Sequence, residues 1–311
     1  MTAGRIDTHH HIVPPSYVDW LARLGIDAGA GVPFPRWSRE ETLEMMDRRG
    51  IETAIVSLST PGVHFGDAAD ARKRAREINE LSAGLVRSAP ARFGFFAFLP
   101  LPDVDGALAE LEYAFDSLGA DGVVMLANAR GVYLGDPALD AVFDALERRR
   151  AVVFVHPSIP PGLAPVEGVP GYAADFLLDT TRAAVRLAGS GTLDRCPNLK
   201  IILSHAGGFV PYAAYRMGLA ASPRRDLADG VAQLRKFWFD TALSGSPTAL
   251  PSLLAFARPG RVLYGSDWPF ASEPIIAGFN GMYESFPVDA AQRASIDRGA
   301  AETLFPRLAR A

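Results

Sequence analysis

The sequence predicts one (β/α)8 TIM barrel formed by residues 1–311. Eight short apolar runs recur along the chain, most of them continuously apolar, as in strands covered on both faces. Helix-like stretches separate them, and this alternation marks parallel strands joined by crossover helices. A length of 311 residues, 49% of them hydrophobic, suits a barrel with additions. An open doubly wound sheet would share the alternation, but eight strands with eight helical segments fit a closed barrel better.

The first run, Ile6–His11, ends in three histidines; a short helix and the Gly- and Pro-rich loop Gly25–Trp37 follow it. Ser38–Arg49 reads as a helix opened by a capping box of Ser38 and Glu41 and stopped by Gly50. The second strand is Thr53–Ser59, followed by the helix Ala69–Ser88. Phe93–Leu99 with Asp103–Leu118, and Gly122–Ala127 with Pro137–Arg149, repeat the unit. The fifth strand, Ala151–His156, leads through the Pro-rich loop Ser158–Tyr172 to the helix Ala173–Leu187. Lys200–His205 with Phe209–Leu219, and Phe237–Leu243 with Thr248–Ala257, come next. The last strand, Val262–Asp267, precedes a helical group from Glu273 to Leu304. Both long loops follow strand ends, the side on which barrels place active sites. No repeat and no charge run marks a linker, so the expectation is one domain.

A net charge of −4 argues against nucleic-acid binding, which needs a positive face. The run Arg72-Lys73-Arg74-Ala75-Arg76 is short and reads as the solvated side of a helix. One cysteine, Cys196, rules out an intramolecular disulfide and fits a reducing compartment. The N-terminus lacks a charged region followed by an apolar one, so no signal peptide is expected. No apolar run approaches the roughly 20 residues that span a bilayer. A cytoplasmic protein without membrane partners is the expectation. Neither a P-loop nor a GxGxxG after a strand is present, so no nucleotide cofactor is expected.

The six histidines are His9, His10, His11, His64, His156 and His205, and five of them lie at the ends of predicted strands. Side chains alternate along a strand, so His9 and His11 share one face and His10 takes the other. The first, fifth, sixth and eighth strands end in His11, His156, His205 and Asp267. A closed barrel brings these ends together, and three or four N/O ligands around an open position describe a catalytic divalent metal site. Zinc suits such a set, with manganese as the other candidate.

These motifs resemble the amidohydrolase superfamily, in its aminocarboxymuconate-semialdehyde decarboxylase branch. They are Ile6-Asp7-Thr8-His9-His10-His11-Ile12-Val13-Pro14, His156-Pro157, Ser204-His205-Ala206-Gly207-Gly208 and Gly265-Ser266-Asp267-Trp268-Pro269. The stretch Trp37–Pro61 is most similar to 6-methylsalicylate decarboxylase-type enzymes. The resemblance implies a metal-dependent barrel with His9, His11, His156 and Asp267 as ligands and His205 as a catalytic histidine beside them. It implies that Arg216 reaches a substrate carboxylate in a neighbouring subunit, hence a homodimer or higher oligomer. Of the three lysines, Lys73, Lys200 and Lys236, none ends the fourth strand, where two-metal amidohydrolases carry a carboxylated lysine. Thr42 and Glu44 stand near the place where the aminocarboxymuconate enzyme uses a second carboxylate-binding arginine, which favours a small monocarboxylate substrate.

The chemistry so implied is non-oxidative decarboxylation of a small aromatic, hydroxybenzoate-like, or related unsaturated carboxylic acid around one divalent ion, with Asp267 or His205 supplying the proton. Metal-dependent hydrolysis of a lactone or amide, with His205 as base, is the rival. Trp37, Phe65, Tyr172, Trp268 and Phe270 are candidates to cradle a ring, with Trp37 and Phe270 foremost. Asn128 and Arg130, after the fourth strand, and His64, after the second, are further polar candidates.

Overall fold

The computed structural model describes residues 4–309. The first three and last two residues of the expected domain lie outside the described residues. Eight parallel strands follow one another in chain order: β1 (Arg5–His11), β2 (Ile51–Ser57), β3 (Phe93–Phe98), β4 (Gly122–Leu126), β5 (Val152–His156), β6 (Lys200–Leu203), β7 (Trp238–Asp240) and β8 (Val262–Leu263). Backbone hydrogen bonds join the last strand region to the first. The amide of Thr8 donates to Tyr264 O at 3.0 Å, that of Asp267 to His9 O at 2.8 Å, and that of His11 to Trp268 O at 2.6 Å. The result is the expected (β/α)8 barrel.

Helices surround the strands: α1 (Pro15–Arg23), α2 (Arg39–Arg49), α3 (Ala68–Ser88), α4 (Val104–Asp116), α5 (Asp140–Arg148), α6 (Gly171–Gly189), α7 (Thr192–Arg195), α8 (Val210–Ala221), α9 (Leu227–Leu234), α10 (Ala249–Phe256) and α11 (Glu273–Ser285). Their starts follow local chemistry. The Ser38 hydroxyl accepts from the Glu41 amide, and Gly50 closes α2 at φ 66°. Asp67, Asp103 and Asp226 cap α3, α4 and α9 in the same way. Helix α9, short hairpins at 28–33 and 128–133, and α7 were not expected as separate elements. The hairpins lie in loops whose Gly and Asn residues read only as turns. The C-terminal group breaks after Ser285 and resumes at Ala290, with a π-turn over Ser295–Gly299.

Strands β6, β7 and β8 end earlier than their apolar runs. Backbone φ turns positive at His205, Ala206, Gly207, Gly208, Leu243 and Asp267, which takes the chain out of the sheet. These bends form the rim of the barrel on the side where His156 ends β5. Inside the barrel, Phe96 of β3 stacks on Phe154 of β5 with centroids 5.4 Å apart, and the edge of His9 meets Phe154 at 4.9 Å. An aromatic layer from alternate strands is therefore the floor beneath the first histidine. Among the described residues, no helix is long and apolar enough to cross a membrane.

Candidate metal centre and active site

Four side chains converge above that floor. Ligating atoms of His9, His11, His156 and Asp267 all lie within 4.8 Å of one another, and all four residues are buried. Strand alternation places His9 and His11 together: their Nε2 atoms are 3.1 Å apart, and each is 3.3 Å from Asp267 Oδ1. His10 points away and pairs its Nδ1 with Asp7 Oδ2 at 2.9 Å.

The outer edges of the imidazoles are fixed. His9 Nδ1 donates to Asp240 Oδ2 at 2.7 Å, and His156 Nδ1 to the Pro157 carbonyl at 2.8 Å. His11 Nδ1 lies 3.0 Å from the Ser57 hydroxyl. A donating Nδ1 leaves the lone pair on Nε2, the form that binds metal. Two nitrogen lone pairs facing each other at 3.1 Å need a proton or a cation between them. The donor set therefore fits a divalent ion on this structure's own geometry.

The electrostatics agree. Burial opposes charge on His9, but Asp240 and Asp267 outweigh it and lift His9 to about 10. Burial pushes His11 down to about 4, and burial with the neighbouring imidazoles holds His156 well below its ordinary value. Burial alone would raise Asp267; His9 and His11 outweigh it and keep its carboxyl well below the usual range. The two carboxylates so favour a proton on His9, and a cation among these side chains would have to displace it.

His205 stands beside this set, its ring centroid 4.7 Å from that of His9 and 5.9 Å from that of His156. Its Nδ1 donates to the Ala242 carbonyl at 3.2 Å, leaving Nε2 as the ring's basic edge. Burial, then His9, lowers its pKa, so the ring is neutral near pH 7. His205, Ala206 and Asp267 all sit at φ between 52° and 64°, costly conformations for residues with a Cβ.

Two acidic residues to which the sequence analysis assigned no role organise the centre. Asp240, at the end of β7, accepts from His9 through Oδ2; its Oδ1 accepts from the amides of His205 at 2.9 Å and Ala242 at 3.0 Å. Asp7 accepts from the amides of His9 and Ser266, both at 3.1 Å, from the Ser266 hydroxyl at 2.5 Å and from His10. One carboxylate thus ties β7 to β1, and the other ties β1 to the turn carrying Asp267. At that turn a Cβ on Gly265 would meet His9 Cβ at 2.8 Å, so only glycine allows the approach.

The centre opens into a cavity of about 600 Å³ lined by His156, His205, Asp267, Tyr172, Phe176, Leu177, Leu243, Phe270, Ile275 and Phe279, among others. Phe270 sets its edge against His11 with centroids 5.6 Å apart, and Phe176 does the same to His156 at 5.9 Å. Phe176, unremarkable as one apolar position of a helix, was not anticipated here. Trp37 packs against the hydrophobic core and is not among the lining residues. Phe65 packs on Trp20, and Trp268 donates its indole N–H to Thr42 at 3.3 Å. Glu44 pairs with Arg48. Asn128 binds Asp179 and the Ile159 carbonyl, whereas His64 and Arg130 border a separate small cleft of about 60 Å³. Arg216 is exposed on α8, outside its own chain's cavity.

The amidohydrolase family model matches residues 6–307. The chain belongs to the amidohydrolase family. This amidohydrolase is 38% identical to decarboxylase macB of Penicillium terrestre, over 98% of the chain and 95% of the relative. It is also 38% identical to the 6-methylsalicylic acid decarboxylase of Penicillium expansum, over 98% of the chain and 97% of the relative. Its fold superposes on a dihydroxybenzoic acid decarboxylase from a Polaromonas species with a TM-score of 0.83 and 25% identity, covering 99% of this chain and 98% of that one. That crystal structure holds manganese and the inhibitor 2-nitroresorcinol.

Proposed function

We propose that the protein is a metal-dependent, non-oxidative decarboxylase, a carboxy-lyase acting on a small aromatic monocarboxylate of the ortho-hydroxybenzoate type. One observation carries the reading: three imidazoles and a carboxylate, grouped as metal ligands would be, face a largely apolar cavity in which two phenylalanines set their edges against His11 and His156. The decarboxylase names of the relatives favour it over hydrolysis of a lactone or amide.

One divalent ion held by His9, His11, His156 and Asp267 would supply a Lewis-acidic point for a phenolate and its neighbouring carboxylate. Zinc suits the donor set; manganese, found in the Polaromonas relative, is the competing occupant. Phe270 and Phe176 hold the ring against the ligand cluster, while Trp37 contributes packing. The Asp267–His205 pair, which borders the cavity, takes up the proton that the substrate's phenol gives off on becoming a phenolate and returns it to the ring carbon that bears the carboxylate. The bond from that carbon to the carboxylate then breaks, its electron pair stays with the ring, and CO2 leaves.

Arg216 is assigned to the substrate carboxylate in a second copy of the chain. It lies on α8 beside Tyr212, Tyr215 and Leu219, which are 86, 74 and 55% exposed, a face that suits a homodimer or higher oligomer. The whole chain acts as one domain in a reducing, cytoplasmic setting, a reading supported by its lone, buried cysteine.

Metal analysis followed by a panel of hydroxybenzoates tests the function. CO2 and the matching phenol should form. Cleavage of esters or lactones with no CO2 from any benzoate would replace this reading with hydrolysis.

A further inference from the structure

We infer that the natural substrate carries an apolar substituent longer than a methyl group. The inference rests on the decarboxylase reading and deepens it. The cavity of about 600 Å³ is large for a bare ring acid. Methylsalicylate has eleven non-hydrogen atoms; even at the roughly 30 Å³ of a water molecule for each, it leaves close to half the space unfilled.

Beyond the ligand residues and His205 the lining is mostly apolar, with hydroxyl groups on Ser59, Thr60, Tyr172 and Ser244. Leu177, Leu243, Ala249, Ile275 and Phe279 come from α6, the turn after β7, α10 and α11, while the ligands come from β1, β5 and the turn after β8. No lysine or arginine is among the described residues of this chain that line the cavity, and the Arg216 of a second copy is already assigned to the carboxylate on the ring, so a second carboxylate would be buried there without a counter-ion. A wall of this kind gains dispersion contacts and sheds water only when a hydrocarbon lies against it. Ile275, 49% exposed, and Tyr172, 53% exposed, keep its rim open to the surface, so a tail can enter alongside the ring.

The test uses full-length, metal-loaded protein with 4-alkyl- and 6-alkylsalicylates from methyl to pentyl, following CO2 release. In one of the two series kcat/KM should climb about fourfold per methylene until the wall is filled. Flat or falling values from methyl onward in both series overturn the inference and leave the decarboxylase reading intact. No CO2 from any member overturns both. Ala249→Phe narrows the apolar wall, and the pentyl-to-methyl ratio of kcat/KM, read within one preparation, should drop about tenfold. An unchanged ratio overturns this placement of the tail.

Discussion

Replacing Asp240 by asparagine tests how the centre is preset. Asp240 accepts three hydrogen bonds, from His9 Nδ1 and from the amides of His205 and Ala242. An amide has one acceptor end and one donor end. If its oxygen keeps the two backbone amides, its NH2 faces His9 Nδ1 and drives the ring proton to Nε2, where the ion must bind. If it turns over, two buried amides lose their acceptor, at roughly 1–3 kcal/mol each. Either arrangement spoils the ligand set. Partners that orient a ligating histidine are worth about 10- to 100-fold in metal affinity, and Asp240→Asn should reach the upper end because it serves both His9 and His205. Zinc affinity measured by competition with a chromogenic chelator, with circular dichroism to check the fold, reads the effect. A folded variant whose affinity stays within about threefold of the parent would refute the reasoning.

Other outcomes follow from the same geometry. His205→Asn should keep its metal content while CO2 release falls by about 10²–10⁴; metal loss would make His205 a ligand instead. Gly265→Ala pushes a methyl against His9 and should lower metal occupancy without loss of secondary structure, which elemental analysis beside circular dichroism will decide. Dialysis against a strong chelator should abolish CO2 release and added zinc or manganese restore it; full turnover by metal-free protein would end the metal reading. Arg48 and Arg49 hold the Glu273 carboxyl down to about 2, below its ordinary 4.5. Its folded value lies below its unfolded one, so its contribution is present above the unfolded value and lost as pH falls toward the folded one. Between about pH 5 and pH 2.5 the melting temperature of the parent should fall more steeply than that of Glu273→Gln; parallel curves would contradict this.

The barrel was legible because its strands are buried on both faces and so appear as plain apolar runs, Val152–His156 most clearly. His9, His11, His156 and Asp267 stood out because histidines and a carboxylate are rare at the ends of such runs. Asp240 was hidden inside one. It follows Phe237, Trp238 and Phe239, and its partner His9 is 231 residues away, so no local spacing announces the pair. Trp37, Phe65 and Trp268 show the converse: an aromatic residue in a strand-end loop signals burial, and the sequence does not say against what. The early ends of β6 to β8 were equally unreadable, since positive φ, as at His205, Leu243 and Asp267, is uncommon for any residue with a Cβ and nothing in the apolar runs marks where the bend falls.

The seam where the barrel closes has a consequence for biosynthesis. Histidines from the first strand and the carboxylate of Asp267 meet across it, held by Asp7 and by backbone bonds that span more than 250 residues of chain. A ribosome therefore releases His9 and His11 long before their companion exists. The nascent chain can collect its helices as it grows, but it cannot close the ring or bring His9, His11, His156 and Asp267 together until the final strand and its turn have left the exit tunnel.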